Sequence, residues 1–130
     1  LEDRIAFVRG VNIDGSLAVG WLYDSGVPNP VDQFDAFIWS EQFGMELLQE
    51  ALVERHALEP ELAEWKLRGA LDISPDGRFI VGSGMGPNSD YEGFLIRLDR
   101  PFGAVPDPST ALLLAACVAA CLPGTRRRRR

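Results

Sequence analysis

Through residues 5–39 short apolar runs alternate with turn-forming residues, the pattern of brief β-strands joined by tight turns. Ile5-Ala6-Phe7-Val8 is a first candidate strand. Asp14-Gly15 is a strong turn signal, and the apolar and β-branched residues on either side of it predict a β-hairpin. The following strand, Leu17 to Tyr23, ends in a Gly-, Pro- and Asn-rich loop over 24–30, and Asp35-Ala36-Phe37-Ile38-Trp39 is the next strand. Gly44 then interrupts the alternation and the period changes. Met45, Leu47, Leu48, Leu52 and Val53 fall on one helical face, with Glu46, Glu50, Glu54 and Arg55 largely between them, so a helix is expected over about 45–56. A shorter helical turn is expected over 60–64, entered at Glu59-Pro60. Trp65, Leu67, Leu71 and Ile73 restart an extended pattern. Asp76-Gly77 marks a second hairpin, 83–90 is a polar loop, and Tyr91 to Leu98 is the last strand before Asp99-Arg100-Pro101.

The two halves of this body match. Asp14-Gly15 and Asp76-Gly77 are 62 positions apart, as are Gly20 and Gly82, while Phe37 and Phe94 are 57 apart. Each unit, about 5–48 and about 66–98, reads hairpin turn, strand, polar loop, strand with Phe. One such unit cannot bury its own apolar face and needs neighbours, so repeated short strands point to a stacked or radial β architecture. The expected fold is mainly β, built of antiparallel hairpin repeats, propeller-blade-like, with one inserted helix and a C-terminal apolar helix at about 110–122.

That last helix belongs to a separate segment, 105–130, with three parts in fixed order. Pro106, Asp107 and Pro108 form a stiff extended lead, after which Ser109 or Thr110 is placed to cap a helix. Ala111, Leu112, Leu113 and Leu114 open an uncharged apolar run that closes at Leu122. It has no solvent face. As a helix it spans roughly 18 Å, against a bilayer core about 30 Å thick, so the nearly uncharged flanks must contribute. Arg126, Arg127, Arg128, Arg129 and Arg130 follow directly. Such a block fixes the end of a membrane helix on the cytoplasmic side. The plainer alternative is a buried core helix followed by a solvated basic tail.

The order in VPDPSTALLLAACVAACLPGTRRRRR resembles the PEP-CTERM sorting signal of Gram-negative bacteria, in which a Pro-Glu-Pro motif precedes a transmembrane helix and a basic cluster. Here Pro106, Asp107 and Pro108 occupy the motif positions, with aspartate in place of glutamate. The resemblance implies export and processing by an exosortase, a membrane cysteine protease, so that protease and the membrane are the expected partners. In the body, GVNIDGSLAVGW, DAFIWSEQFGMELL, LDISPDGRFIVGSG and YEGFLIRL resemble HAF-type extracellular repeats, although Asp35-Ala36-Phe37 lacks the namesake histidine. HAF repeats commonly precede a PEP-CTERM tail. Together the resemblances imply surface display in an envelope, exopolysaccharide or biofilm setting, with exopolysaccharide as a further partner and no known activity. The chain opens on Leu1 without a signal peptide; an exported protein carries one, so an upstream part with further repeats is expected.

Charge sharpens the division into 1–104 and 105–130. The net charge of −6 conceals 8 Lys/Arg against 18 Asp/Glu in the body and five arginines against Asp107 in the tail. An acidic body argues against nucleic acid as a partner. Both cysteines, Cys117 and Cys121, lie in the apolar run, four apart on one helical face. Metal binding, palmitoylation and helix pairing compete there with a role as small apolar residues, the reading favoured because no histidine is near.

No catalytic, cofactor or metal site is expected in the body. His56, the sole histidine, reads as a solvent-facing helix-end residue. Ser74 and Ser83 lack a nucleophile-elbow context. Gly82-Ser83-Gly84-Met85-Gly86 has no following lysine or helix with which to hold phosphate. Asn12, Asp14 and Asp76 offer oxygens for calcium, against the commoner role of such residues in turns. Glu41, Glu46, Glu50, Glu54, Glu59, Glu61 and Glu64 read as a solvated helix face. Trp21, Trp39 and Trp65 suggest sugar stacking, against the commoner fate of core packing. The leading expectation is a non-enzymatic exported protein; a glycan- or calcium-binding module and a fragment of a propeller-type glycosidase are the alternatives.

Overall fold

The structure, a computed structural model, describes residues 4–104. The expected C-terminal helix and every residue assigned to the sorting signal, from Pro106 to Arg130, lie outside the described residues. The body is mainly β, in two antiparallel meanders. Sheet A contains β1 (Ile5–Val11), β2 (Leu17–Tyr23), β3 (Phe34–Ser40) and β4 (Gly44–Leu47) in that spatial order. Sheet B contains β5 (Lys66–Ile73), β6 (Phe79–Met85) and β7 (Tyr91–Arg97). Between the sheets the chain forms helix α1 (Leu48–His56) and the single turn α2 (Glu59–Leu62). A four-stranded up-and-down sheet is the form of a propeller blade.

Both predicted hairpins are present. Gly15 and Gly77 close their turns at φ +77 and +75, a region only glycine enters without strain. The helix begins later than the apolar spacing suggests. Met45, Glu46 and Leu47 pair with Trp39, Ile38 and Phe37 as β4, not as the first turn of α1. The cause is local. Gly44, at φ +78, reverses the chain, and the Ser40 hydroxyl accepts from the Phe43 N–H (2.9 Å), so the hairpin completes before a helix can nucleate.

The internal repeat is a repeat of register. In sheet A, Val8 pairs with Gly20, which pairs with Phe37; in sheet B, Ala70 pairs with Gly82, which pairs with Phe94. Val11–Ala18–Trp39 corresponds likewise to Ile73–Ile80–Ile96. A bulge falls between Val8 and Gly10 in one sheet and between Ala70 and Asp72 in the other, again 62 apart. One hydrophobic core joins the sheets. Leu17, Val19, Ala36 and Ile38 of sheet A share this core with Ile80, Phe94 and Ile96 of sheet B and with Leu48 and Leu52 of α1. The Gln49 side chain fixes the helix to β5: its Nε2 donates to Trp65 O (2.6 Å) and its Oε1 accepts from Leu67 N (3.0 Å).

Candidate functional site

The two Asp-Gly turns, far apart in sequence, lie side by side. Ile13 N donates to Pro75 O (3.1 Å), and the turns flank an open groove of about 580 Å³ lined by Asn12, Asp14, Glu41, Asp76 and Phe102 among others. The candidate calcium ligands Asn12, Asp14 and Asp76 therefore do share a site. One side-chain oxygen of each is already engaged in shaping the turns. Asn12 Oδ1 accepts from Leu17 N (2.9 Å), and Asp14 Oδ1 accepts from the Ser16 hydroxyl (2.7 Å) and backbone N–H (3.0 Å). Asp76 Oδ1 accepts from the Ser74 hydroxyl (2.6 Å) and Arg78 N (3.2 Å). The serine hydrogen bonds hold both aspartates below the ordinary carboxylate range. Among the described residues no group of three or more His, Cys, Asp or Glu side chains is arranged to hold a metal.

The tryptophans do not form one surface. Trp21 pairs with Ala36 and Trp39 with Ala18, which puts them on opposite faces of sheet A. Trp21 is flanked by Phe7 (ring centroids 5.8 Å) and Arg9 (5.3 Å), whereas Trp65 is buried in the core, edge-on to Phe94 (6.3 Å). Gly82, Ser83, Gly84 and Met85 form the body of β6 and not a phosphate loop.

His56 departs from expectation. It is buried at the end of α1, stacked on Phe102 (5.3 Å), and its Nε2 accepts from Gly103 N (3.0 Å). Ala57 beyond it takes the left-handed conformation (φ 54), and the chain crossing the helix end at Pro101–Gly103 covers the ring. Nothing local in the sequence marks this, because the covering residues come from 47 positions away. Burial, followed by repulsion from Arg100, lowers the His56 pKa from 6.5 to about 4. The unfolded chain then takes up the proton first, so stability is complete above about 6.5 and declines as the pH falls toward about 4. Full exclusion of water would make that shift worth about 3 kcal/mol, and partial solvent access reduces it to about 2. Urea unfolding across this range should show the decline, and His56→Phe, which keeps the stack without a titrating group, should flatten it. An equal slope in the variant would assign the effect elsewhere.

Arg68 is a further buried polar residue, one the sequence reading passed over. Its Nη2 donates to Asp32 Oδ1 (2.6 Å), and its Nη1 donates to Asp35 Oδ1 (3.0 Å) and Phe34 O (3.3 Å). Asp35 also meets Arg4 (3.2 Å). A second hollow, of about 530 Å³, opens beside this cluster, with Gln49, Glu50 and Lys66 on its wall. A lone cation inside the run Leu67-Arg68-Gly69-Ala70-Leu71 was the available signal. The cluster is an ion-paired joint between the sheets and contains no nucleophile. No helix among the described residues is long and apolar enough to cross a membrane. Comparison with known protein families, curated proteins and solved structures gives no match.

Proposed function

We propose that this chain is an exported, non-enzymatic repeat protein, sorted to the cell envelope or beyond it through its C-terminal segment. The observation that carries the reading is the order of that segment: Pro106-Asp107-Pro108, the apolar run Ala111 to Leu122, then Arg126 to Arg130. An apolar run pinned by a terminal arginine block has a defined orientation, with the arginines in the cytoplasm and the acidic body outside. The resemblance to a PEP-CTERM signal supports an exosortase-type protease as the processing partner and an envelope, exopolysaccharide or biofilm setting. The body supports this reading. It repeats one blade-like unit, resembles HAF-type repeats, and uses its turn aspartates and buried Arg68 to hold the fold.

Replacing Arg126–Arg130 with glutamine should cost the membrane segment its single orientation. In a Gram-negative host, a C-terminal reporter that is cytoplasmic in the parent should divide between both sides of the membrane. Unchanged topology in the variant, or a parent chain freely dissolved in the cytosol, would refute the reading.

A further inference from the structure

The end of the described chain is a strap laid over the end of α1. From Asp99 to Ala104 it runs without strand or helix. Arg100 clamps it, donating from Nη2 to Arg55 O (2.9 Å) and from Nε to Ala104 O (2.6 Å). Phe102 is buried and stacked on His56, and its N–H donates to Gly77 O (3.0 Å). Gly103, at φ +79, donates its N–H to His56 Nε2 (3.0 Å). This last bond depends on charge. A ring nitrogen that accepts is unprotonated, so neutral His56 carries its proton on Nδ1, a buried atom with no hydrogen-bond partner among the described residues. A proton added at Nε2 would meet the Gly103 N–H donor to donor. The charged groups around the ring are Asp99 and Arg100 on the strap and Arg55 on α1, itself paired with Glu46. Burial, Arg100 and Arg55 keep the ring neutral against the pull of Asp99. Arg78, from the β5–β6 hairpin, bonds Leu98 O and Asp99 O and so fixes where the strap begins.

We propose that the strap is a latch on the sorting signal: neutral His56 holds it shut, protonation of the ring frees it, and the freed strap opens the chain to the processing protease. The motif Pro106-Asp107-Pro108 begins two positions after Ala104. Susceptibility to cleavage follows the burial and hydrogen bonding of the backbone concerned. With the strap closed, the residues leading into the motif turn at Gly103, are bonded from Ala104 N to Pro101 O (3.0 Å) and are anchored by Phe102. They cannot be drawn out as an extended strand until those contacts break. Cleavage then tracks the population of the opened state. The latch stands on the geometry of residues 99–104; the gating of cleavage rests on the sorting reading proposed above.

Amide exchange of the full chain in a mild non-ionic detergent tests the latch. Corrected for intrinsic exchange, opening at Gly103 should rise roughly 30-fold between pH 7 and pH 4. At both pH values Gly103 should open more readily than the amides of β6, since the strap moves without the sheets. His56→Gln, which keeps an acceptor and does not titrate, should remove the rise. Opening at Gly103 no easier than in β6, a flat response in the parent, or a rise that persists in His56→Gln would each overturn the latch. Two further variants test the gating. Gly103→Pro has no N–H to donate and cannot take φ +79; Arg100→Gln releases Arg55 O and Ala104 O. Protected β6 amides show that each is folded. In a Gram-negative host carrying an exosortase-type protease, both should be processed several-fold faster than the parent. Equal rates would overturn the gating and leave the sorting reading standing, whereas no processing of any of the three chains would refute the sorting reading and the gating with it.

Discussion

Gly82→Ala is expected to destabilise the domain by about 3 kcal/mol, although alanine suits a strand better than glycine. The conflict of signs gives the experiment its value. Gly82 lies mid-strand in β6 without a positive φ, so its conformation is open to any residue. By backbone entropy alone the substitution should stabilise by roughly 0.5–1 kcal/mol. Sterics oppose this. A Cβ at Gly82 would meet the carbonyl oxygen of Gly69, the Phe94 ring at 2.6 Å and the Ala70 Cα at 2.9 Å. The ring can turn, but the backbone atoms of a bulged, buried strand cannot move without breaking the ladder. Gly20 has the same surroundings in the first unit, the Phe7 carbonyl oxygen and the Phe37 ring at 3.0 Å, so Gly20→Ala should behave similarly. Gly93→Ala is the control: its nearest neighbour outside the adjoining chain is the Gly82 carbonyl oxygen, at an ordinary 3.6 Å. Urea midpoints should fall by roughly 1–2 M for Gly82→Ala and hold or rise for Gly93→Ala. A stabilised Gly82→Ala would show that the close approach of Phe to Gly does not constrain the repeat.

That geometry also explains what the sequence disclosed and what it withheld. The Asp-Gly turns, the strands and the 62-residue offset were legible because each depends on residues close in the chain. The Gly20–Gly82 and Phe37–Phe94 matches were visible as spacings, and in the fold each glycine faces the phenylalanine of its own unit. The start of α1 was misplaced because Met45 and Leu47 satisfy the period of a helix and that of a strand equally well. The Ser40–Phe43 hydrogen bond and the Gly44 reversal decided between them. His56 and Arg68 were hidden for a different reason. Their surroundings arrive from Phe102–Gly103 and from Asp32–Asp35, and no local pattern records contacts made across the fold. The candidate site was partly legible in the same sense: Asn12, Asp14 and Asp76 do line one groove, but the serines that each engage one aspartate oxygen act through hydrogen bonds that spacing alone does not reveal.

Arg68→Ala should cost about 3 kcal/mol, because it removes a buried cation that joins the sheets. The guanidinium reaches from the bulge of β5 to the start of β3 and the turn before it, bonding two carboxylates and a backbone carbonyl. Its side chain is 9% exposed, whereas Asp35 is 24% and Asp32 45% exposed. The three partners should therefore rank. Asp32→Ala should cost less than about 1 kcal/mol, since a half-solvated carboxylate forms a weak pair. Asp35→Ala should cost more, because Asp35 is less exposed and is shared with Arg4. Arg68→Lys should recover only part of the loss, since an ammonium cannot bridge diverging partners with a planar fork. Arg68→Met separates stem from charge, keeping most of the packing and none of the pairing. Full stability in Arg68→Met would mean that Arg68 acts through its hydrocarbon stem, and a cost at Asp32 equal to that at Arg68 would show that solvent does not grade the pairs. If the expected ranking holds, the ion pairs at Arg68 add a directional link between β5 and the start of β3 to the non-directional apolar contact between the sheets.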